Sequence, residues 1–368
     1  MGQAPIRALA ALATFLLAAP AAAQDAPEWV GVWEGRVGNS PVRLCVDVLG
    51  GDGPARGSYY YLSRLEPISL SDYDSEGGWT EQAAGSDETA QWEFAEQSGT
   101  RLRGTWRQDR RSLAVDLAPV AWTEGEWGGP CSSAAFLEPR VRPPEFATEP
   151  ATLEGWSFTR HRFIPPAHFA GDVTIEAFSF VPEQPGDAAI NAVLAGYLPR
   201  GVLADEFVQC FSGAIASLGH DGYVEKTVRP MLVSQPFLAI DEANSDFCGG
   251  AHPNHWQVMR TFDRQSGEEI DLFDWLGEAR IDGEDAVIAD RVRALVFARW
   301  PAEEAECAEA AADTSYWSLG LARDGLIFMP DLPHVATACE ERVTVEWRAL
   351  EPFLDAEGRA GLARLRAE

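Results

Sequence analysis

Residues 246–256 read DFCGGAHPNHW. His252 and His255 stand three positions apart beside Cys248, and these residue types ligate zinc. A catalytic zinc takes about three protein ligands and keeps a position open for water. His334, in DLPHVATAC, together with a carboxylate could complete such a set. On a helix the spacing would put both imidazoles on one face, but Pro253 and the paired Gly249 and Gly250 disfavour a helix. The two histidines therefore belong to a loop, and nothing nearby is spaced to supply the missing ligands. The sequence favours a glycine-permitted turn, pinned through Cys248 and running into a strand at Trp256, with no metal, no cofactor and no catalytic residue assigned. Gly249, Gly250, His252, Asn254, His255, Trp256 and His334 are the candidate binding residues.

Other catalytic signatures are absent. The chain has no H-E-x-x-H, no G-x-x-x-x-G-K-[ST] and no G-x-S-x-G. Gly51-Asp52-Gly53 falls in an expected hairpin loop and lacks the following helix that a phosphate site requires. DYDSEGG, residues 72–78, opens like a calcium loop, but Ala83 stands where a bidentate glutamate should close the shell, so a solvated acidic turn is expected. His161, His168 and His220 are isolated in sequence and carry no assigned role. The pairs Asp241-Glu242 and Glu268-Glu269 are expected to face water, since neighbouring strand side chains point oppositely and neither pair flanks an evident cleft.

The amino-terminal 23 residues read as a signal peptide: Arg7, an apolar run at 8–17, and Ala21-Ala22-Ala23 before cleavage. That run is shorter than the ~20 residues a membrane span needs, and no later run could cross a bilayer. A periplasmic or secreted chain is expected. Six cysteines without a C-x-x-C then read as disulfides. The net charge of -28 excludes nucleic acid and anionic lipid as partners and would favour a basic protein. Lys226 is the only lysine among 29 basic residues, so part of the charge reflects background composition and solubility. The oligomeric state leaves no trace in the sequence.

Pro139, Pro143, Pro144 and Pro150 mark residues 139–155 as a linker or extended crossing between two domains. Before it, period-two segments at 32–37, 42–48, 57–62, 91–94, 102–106 and 113–117 alternate with glycine-rich turns, which predicts an antiparallel barrel or sandwich over 24–138. A Cys45–Cys131 bridge would tie the ends of that sheet together. Residues 156–368 read as α+β. Strands are expected at 172–181, 231–240, 256–262 and 343–347. Helices are expected around Ile190–Tyr197, Phe207–Ile215, Ile288–Arg299 and 356–366, and a hairpin turns at Asp324-Gly325. Four cysteines remain, with three possible pairings; Cys210–Cys248 and Cys307–Cys339 keep closure within neighbouring elements.

CGGAHPNHWQVMRTFDRQSGEEIDLFDWL, residues 248–276, resembles the Gly-Gly-Ala-His-Pro core of the C-terminal domain shared by the anti-sigma factor RsiV and the peptidoglycan deacetylase PdaC. RDGLIFMPDLPHVATACEERVTVEWRALEPFL, residues 323–354, is similar to that domain's closing strands. The resemblance covers about 171–355, and its matching positions are Gly249, Gly250, Ala251, His252 and Pro253. It implies an extracytoplasmic α+β domain without catalysis of its own, a receptor for lysozyme in the RsiV context and an accompaniment to a deacetylase in PdaC. This chain shows neither the cytoplasmic segment and membrane helix of the one nor the deacetylase domain of the other, and its β-rich first part matches neither. Two function classes are left. One is a non-enzymatic exported binding or cell-envelope protein with this domain as recognition surface for lysozyme or a peptidoglycan-related ligand. The other is a metal-dependent envelope hydrolase using His252, His255 and His334. A structural partner in an envelope complex is a blander form of the first.

Overall fold

The computed structural model describes residues 26–48, 54–72, 78–83, 89–277, 280–282 and 285–367. The expected signal peptide, the turn at 50–53 and most of the calcium-like segment lie outside the described residues. Eight strands form a closed antiparallel barrel in chain order: β1 (Gly31–Val37), β2 (Ser40–Val48), β3 (Ala55–Tyr61), β4 (Ile68–Ser71), β5 (Trp79–Ala83), β6 (Thr89–Gln97), β7 (Leu102–Gln108) and β8 (Arg111–Val120). Alternation makes each strand two-faced. In β2, Val42, Leu44 and Val46 point into the barrel, where Trp33, Tyr59 and Trp92 are fully buried. Pairing of β1 with β8, Gly35 opposite Leu117, closes the ring and leaves no edge.

One carboxylate holds the inner aromatic groups together. Tyr59 Oη, Trp92 Nε1 and Trp106 Nε1 donate to Glu81 Oε2 at 2.7, 2.9 and 2.6 Å. Burying Tyr and Trp is favourable only when their polar ends find acceptors, and Glu81 supplies all three.

After the barrel, a 3-10 turn at Pro130–Ser132 carries Cys131, which is bonded to Cys45 of β2, and α1 (Ala134–Leu137) comes next. Cys131 thus sits beyond the sheet, and the bridge fastens the exiting chain to a strand rather than strand to strand. Phe136, Leu137 and Ile215 share a buried cluster with Val32, Cys45, Tyr60 and Leu65, so the barrel wall is packed against the chain beyond it.

A seven-stranded sheet comes next: β9 (Glu145–Leu153), β10 (Trp156–Ile164), β11 (Val173–Ser179), β12 (Tyr223–Val233), β13 (Phe237–Phe247), β14 (Asn254–Asp263) and β15 (Glu269–Ile270), adjacent in that order. Only β11 and β12 run parallel, and their connection carries α2 (Asp187–Ala195) and α3 (Glu206–Leu218). Ile190 and Leu194 are the buried face of α2; Phe207, Phe211 and Ile215 are that of α3. Two expectations change here. The proline-rich stretch 139–155 contains edge strand β9, paired with β10 through a turn in which Glu154 and Gly155 both have positive φ, 48° and 88°. The extended run expected at 231–240 is two strands, broken at 234–236, where Ser234 Oγ accepts from the Phe237 amide at 3.0 Å.

The remainder comprises β16 (Arg280–Asp282), β17 (Asp285–Val287), α4 (Asp290–Phe297), α5 (Ala305–Asp313), β18 (Trp317–Leu321), β19 (Gly325–Pro330), β20 (Val343–Glu346), α6 (Trp347–Leu350) and α7 (Ala356–Leu365). The sheet β18-β19-β20 and these helices bury Trp275, Val292, Leu326, Phe328, Val345 and Leu362 against Phe237. Among the described residues no helix is long and apolar enough to cross a membrane. Disulfides Cys210–Cys248 and Cys307–Cys339 complete the three pairs chosen from the sequence, a pattern that fits an oxidising compartment.

Candidate functional site

The loop between β13 and β14 is shaped by its glycines and its sulfur. Gly249 and Gly250 have φ of 91° and 101°, a region L side chains avoid. A Cβ on Gly249 would lie 2.1 Å from Ser217 Oγ, so the backbone here touches α3 directly. Cys248, bonded to Cys210 of α3, fixes that approach. The loop then reaches outward through His252 and returns at Asn254, whose Nδ2 donates to Asp246 Oδ1 across the strand pair at 3.1 Å.

Opposite it lies a second sulfur-anchored segment, the 3-10 helix His334–Cys339, held to α5 by Cys307–Cys339. The rings of His252 and His334 stack, with centroids 4.9 Å apart and planes 9° from parallel, and both side chains are exposed. His255 Nε2 stands 4.0 Å from Glu340 Oε2, which is buried and has no hydrogen-bond partner among the described residues. Burial pushes the Glu340 carboxyl up, the Leu332 amide and His255 offsetting only part of it. Two histidine contacts therefore join loops that are distant in sequence.

These contacts do not amount to a set of converging ligands. Among the described residues, the one group of three His, Cys, Asp or Glu whose ligand atoms fall within 4.8 Å of one another is Cys210, Asp246 and Cys248, and its sulfurs are bonded to each other. His252 Nδ1 is engaged with the Pro253 carbonyl at 2.9 Å; since a carbonyl only accepts, that nitrogen carries the proton.

Trp256 leaves the cluster. Alternation turns it away from His255, and Lys226 Nζ lies 5.5 Å from its ring centroid. Lys226 also pairs with Glu206 at 2.7 Å and Glu242 at 3.5 Å. Glu242, expected to face water, is instead buried and accepts from Tyr197 Oη at 2.7 Å. The chain's single lysine and Arg260, 3.8 Å from Glu242 Oε2, neutralise it, and sequence adjacency to Asp241 concealed that.

Beside His334 an open cavity of about 560 Å³ is lined by Asp313, Tyr316, Asp331, Leu332, Pro333 and Ala336. Tyr316 is 51% exposed and Val335 94%. Exposed apolar groups flanked by carboxylates form a surface with uncovered hydrophobic contact area and negative charge.

No protein-family model matches this sequence, and no curated protein matches it. Among solved structures the chain is similar to a member of the DUF3298 family from Bacteroides fragilis NCTC 9343, with TM-score 0.34 and 11% identity over 61% of this chain and 96% of that one. A DUF3298 family protein from Pseudomonas aeruginosa PAO1 gives TM-score 0.33 and 12% identity over 58% of this chain and 94% of that one.

Of the residues nominated from sequence, His252, Asn254, His255 and His334 meet on this surface. Gly249 and Gly250 shape it, and Trp256, half-buried, lies against Lys226 instead. Sequence reasoning missed Glu340 and the Tyr316 cavity. The nearest signal was Glu340's position directly after Cys339, which ties it to the His334 segment.

Proposed function

We propose that this chain is an exported, non-enzymatic binding protein of the cell envelope, organised as a barrel domain (24–138) and an RsiV-like domain whose recognition surface is the pair of disulfide-anchored loops around His252 and His334. The single observation that carries this reading is the His252–His334 stack, which joins the two loops into one exposed surface beside the Tyr316 cavity. The partner is a basic protein, lysozyme being the type the 248–276 resemblance suggests, or a peptidoglycan-related ligand. Asp313 and Asp331 in the cavity and a chain charge of -28 favour the basic protein, because opposite potentials speed encounter and fix register. Calorimetric titration with lysozymes and with peptidoglycan fragments over a salt series tests it. Binding at low salt that weakens as salt rises supports the reading, and no binding to any of them refutes it.

A metal-dependent envelope hydrolase is the second reading. It is favoured by the closeness of His252 to His334 and of His255 to the unpartnered Glu340 oxygen. It requires the loops to rearrange so that three ligands converge, and it predicts stoichiometric zinc in purified protein. Metal analysis decides between the two.

A further inference from the structure

His168 and His220, isolated in sequence, meet at a second cleft where the barrel faces the rest of the chain. A cavity of about 420 Å³ lies between the β3–β4 connection and a wall built from the residues before β11 and the α3–β12 turn. That volume is within the ~300–1,000 Å³ of small-molecule sites. Arg140 is the cornerstone beneath it. Its side chain is buried, with Nε donating to the Leu65 carbonyl at 2.9 Å and both terminal nitrogens donating to the Asp221 carboxylate. The Arg140 carbonyl accepts from His168 Nε2 at 2.8 Å. Leu65 is held at φ 68°, a left-handed conformation in which its side chain stays buried while Tyr61, Arg64 and Glu66 line the cavity.

The Arg140–Asp221 pair is internally satisfied, so the cavity's unsatisfied chemistry lies elsewhere. On one wall the Asp172 carboxylate has no side-chain hydrogen bond among the described residues. Beside it, His220 Nδ1 donates to the Asp221 carbonyl at 2.7 Å, which fixes the ring on the same wall. On the barrel wall Arg64 is exposed and holds no ion pair among the described residues. A carboxylate on one side and a guanidinium, with Glu66 near it in sequence, on the other suit a ligand with an ammonium at one end and a carboxylate at the other.

We propose that this cleft binds a small zwitterion of the α-amino-acid type, its ammonium on Asp172 and its carboxylate on Arg64. Burial pushes the Asp172 carboxyl up, with Arg140 and His220 offsetting part of it, as expected of an acceptor short of donors. The ligand's source is a free amino acid or the end of a peptide, and this site is independent of the His252–His334 surface.

Isothermal titration of the full chain at neutral pH tests the assignment with L- and D-alanine, alanyl-alanine, N-acetylalanine and alanine methyl ester. Saturable binding of alanine or alanyl-alanine is expected; tighter binding of the dipeptide assigns the source to a peptide end, and of alanine to the free amino acid. N-acetylation, which removes the ammonium, and esterification, which removes the carboxylate, should each weaken binding about tenfold or more, as should Asp172→Asn and Arg64→Ala. Arg64→Ala alters an exposed side chain, so its loss cannot be ascribed to misfolding, and His252→Ala should bind normally. The proposal is overturned if no member of the panel saturates, if N-acetylalanine binds as tightly as alanine, or if both variants bind like the parent chain.

Discussion

The imidazole of His252 lies over that of His334, within 9° of parallel, and each ring rides on a segment fastened by its own disulfide. Neither ring is buried, so core packing does not account for the contact. It is fixed by the anchoring on both sides, Gly249 against α3 and Cys339 against α5. The pair is therefore a pre-ordered feature of the surface, which lowers the ordering cost of binding.

Replacing either ring should leave stability nearly intact and weaken recognition. His252→Ala and His334→Ala are surface changes, expected to move unfolding free energy by no more than about 0.5 kcal/mol. Affinity for the proposed basic partner should fall about tenfold for each. Urea denaturation and calorimetric titration of the same preparations separate the two effects.

Removing the Cys307–Cys339 bridge should do both kinds of damage. Its sequence separation of 32 residues corresponds to about 3 to 4 kcal/mol on the chain-entropy account. The double alanine variant should lose about that much unfolding free energy, read as the drop in urea midpoint multiplied by the m-value. It should also bind less tightly even where it remains folded, since His334 loses its anchor.

Glu81→Ala should destabilise the barrel without touching recognition. Three aromatic donors lose their shared acceptor. At about 1–3 kcal/mol per unsatisfied buried donor, with water repairing some of the loss, a cost of about 3 kcal/mol is expected. Thermal unfolding and partner titration, run together, check this.

His168 should make the fold acid-sensitive. Burial lowers its pKa from 6.5 to about 4, with the bond to the Arg140 carbonyl resisting and the charges of Arg140 and Arg142 assisting. The unfolded chain takes up the proton first, so the neutral ring's stabilisation is complete above pH 6.5. It is lost between about 6.5 and 4, amounting to roughly 3 kcal/mol. Asp172 and Asp221, pushed up by burial, respond in the opposite sense. The test is thus a difference: urea midpoints against pH for the parent and for His168→Gln, with the extra acid loss present only in the parent.

Local pattern was enough to read the elements whose buried face lies in their own sequence. β2 shows it in Val42, Leu44 and Val46, α2 in Ile190 and Leu194, and the β18–β19 hairpin in Asp324-Gly325. Barrel and sandwich could not be told apart, because closure depends on β1 meeting β8, a pairing with no local signature. β9 escaped notice because Pro150, its glutamates and the prolines just before it suit an exposed edge as well as a linker; the Glu154-Gly155 turn was its one hairpin cue. His252, His255 and His334 could be nominated from residue type and neighbouring glycines. His168 and His220 could not, since Arg140 and Asp221 bring them to one cleft from separate elements.

Titration of the intact chain with lysozyme at low and at physiological salt, beside the His252→Ala/His334→Ala double variant, bears most directly on the recognition surface. Saturable binding that weakens with salt and is lost in the folded double variant is predicted. Equal binding by parent and variant, or no binding by the parent at low salt, would contradict it.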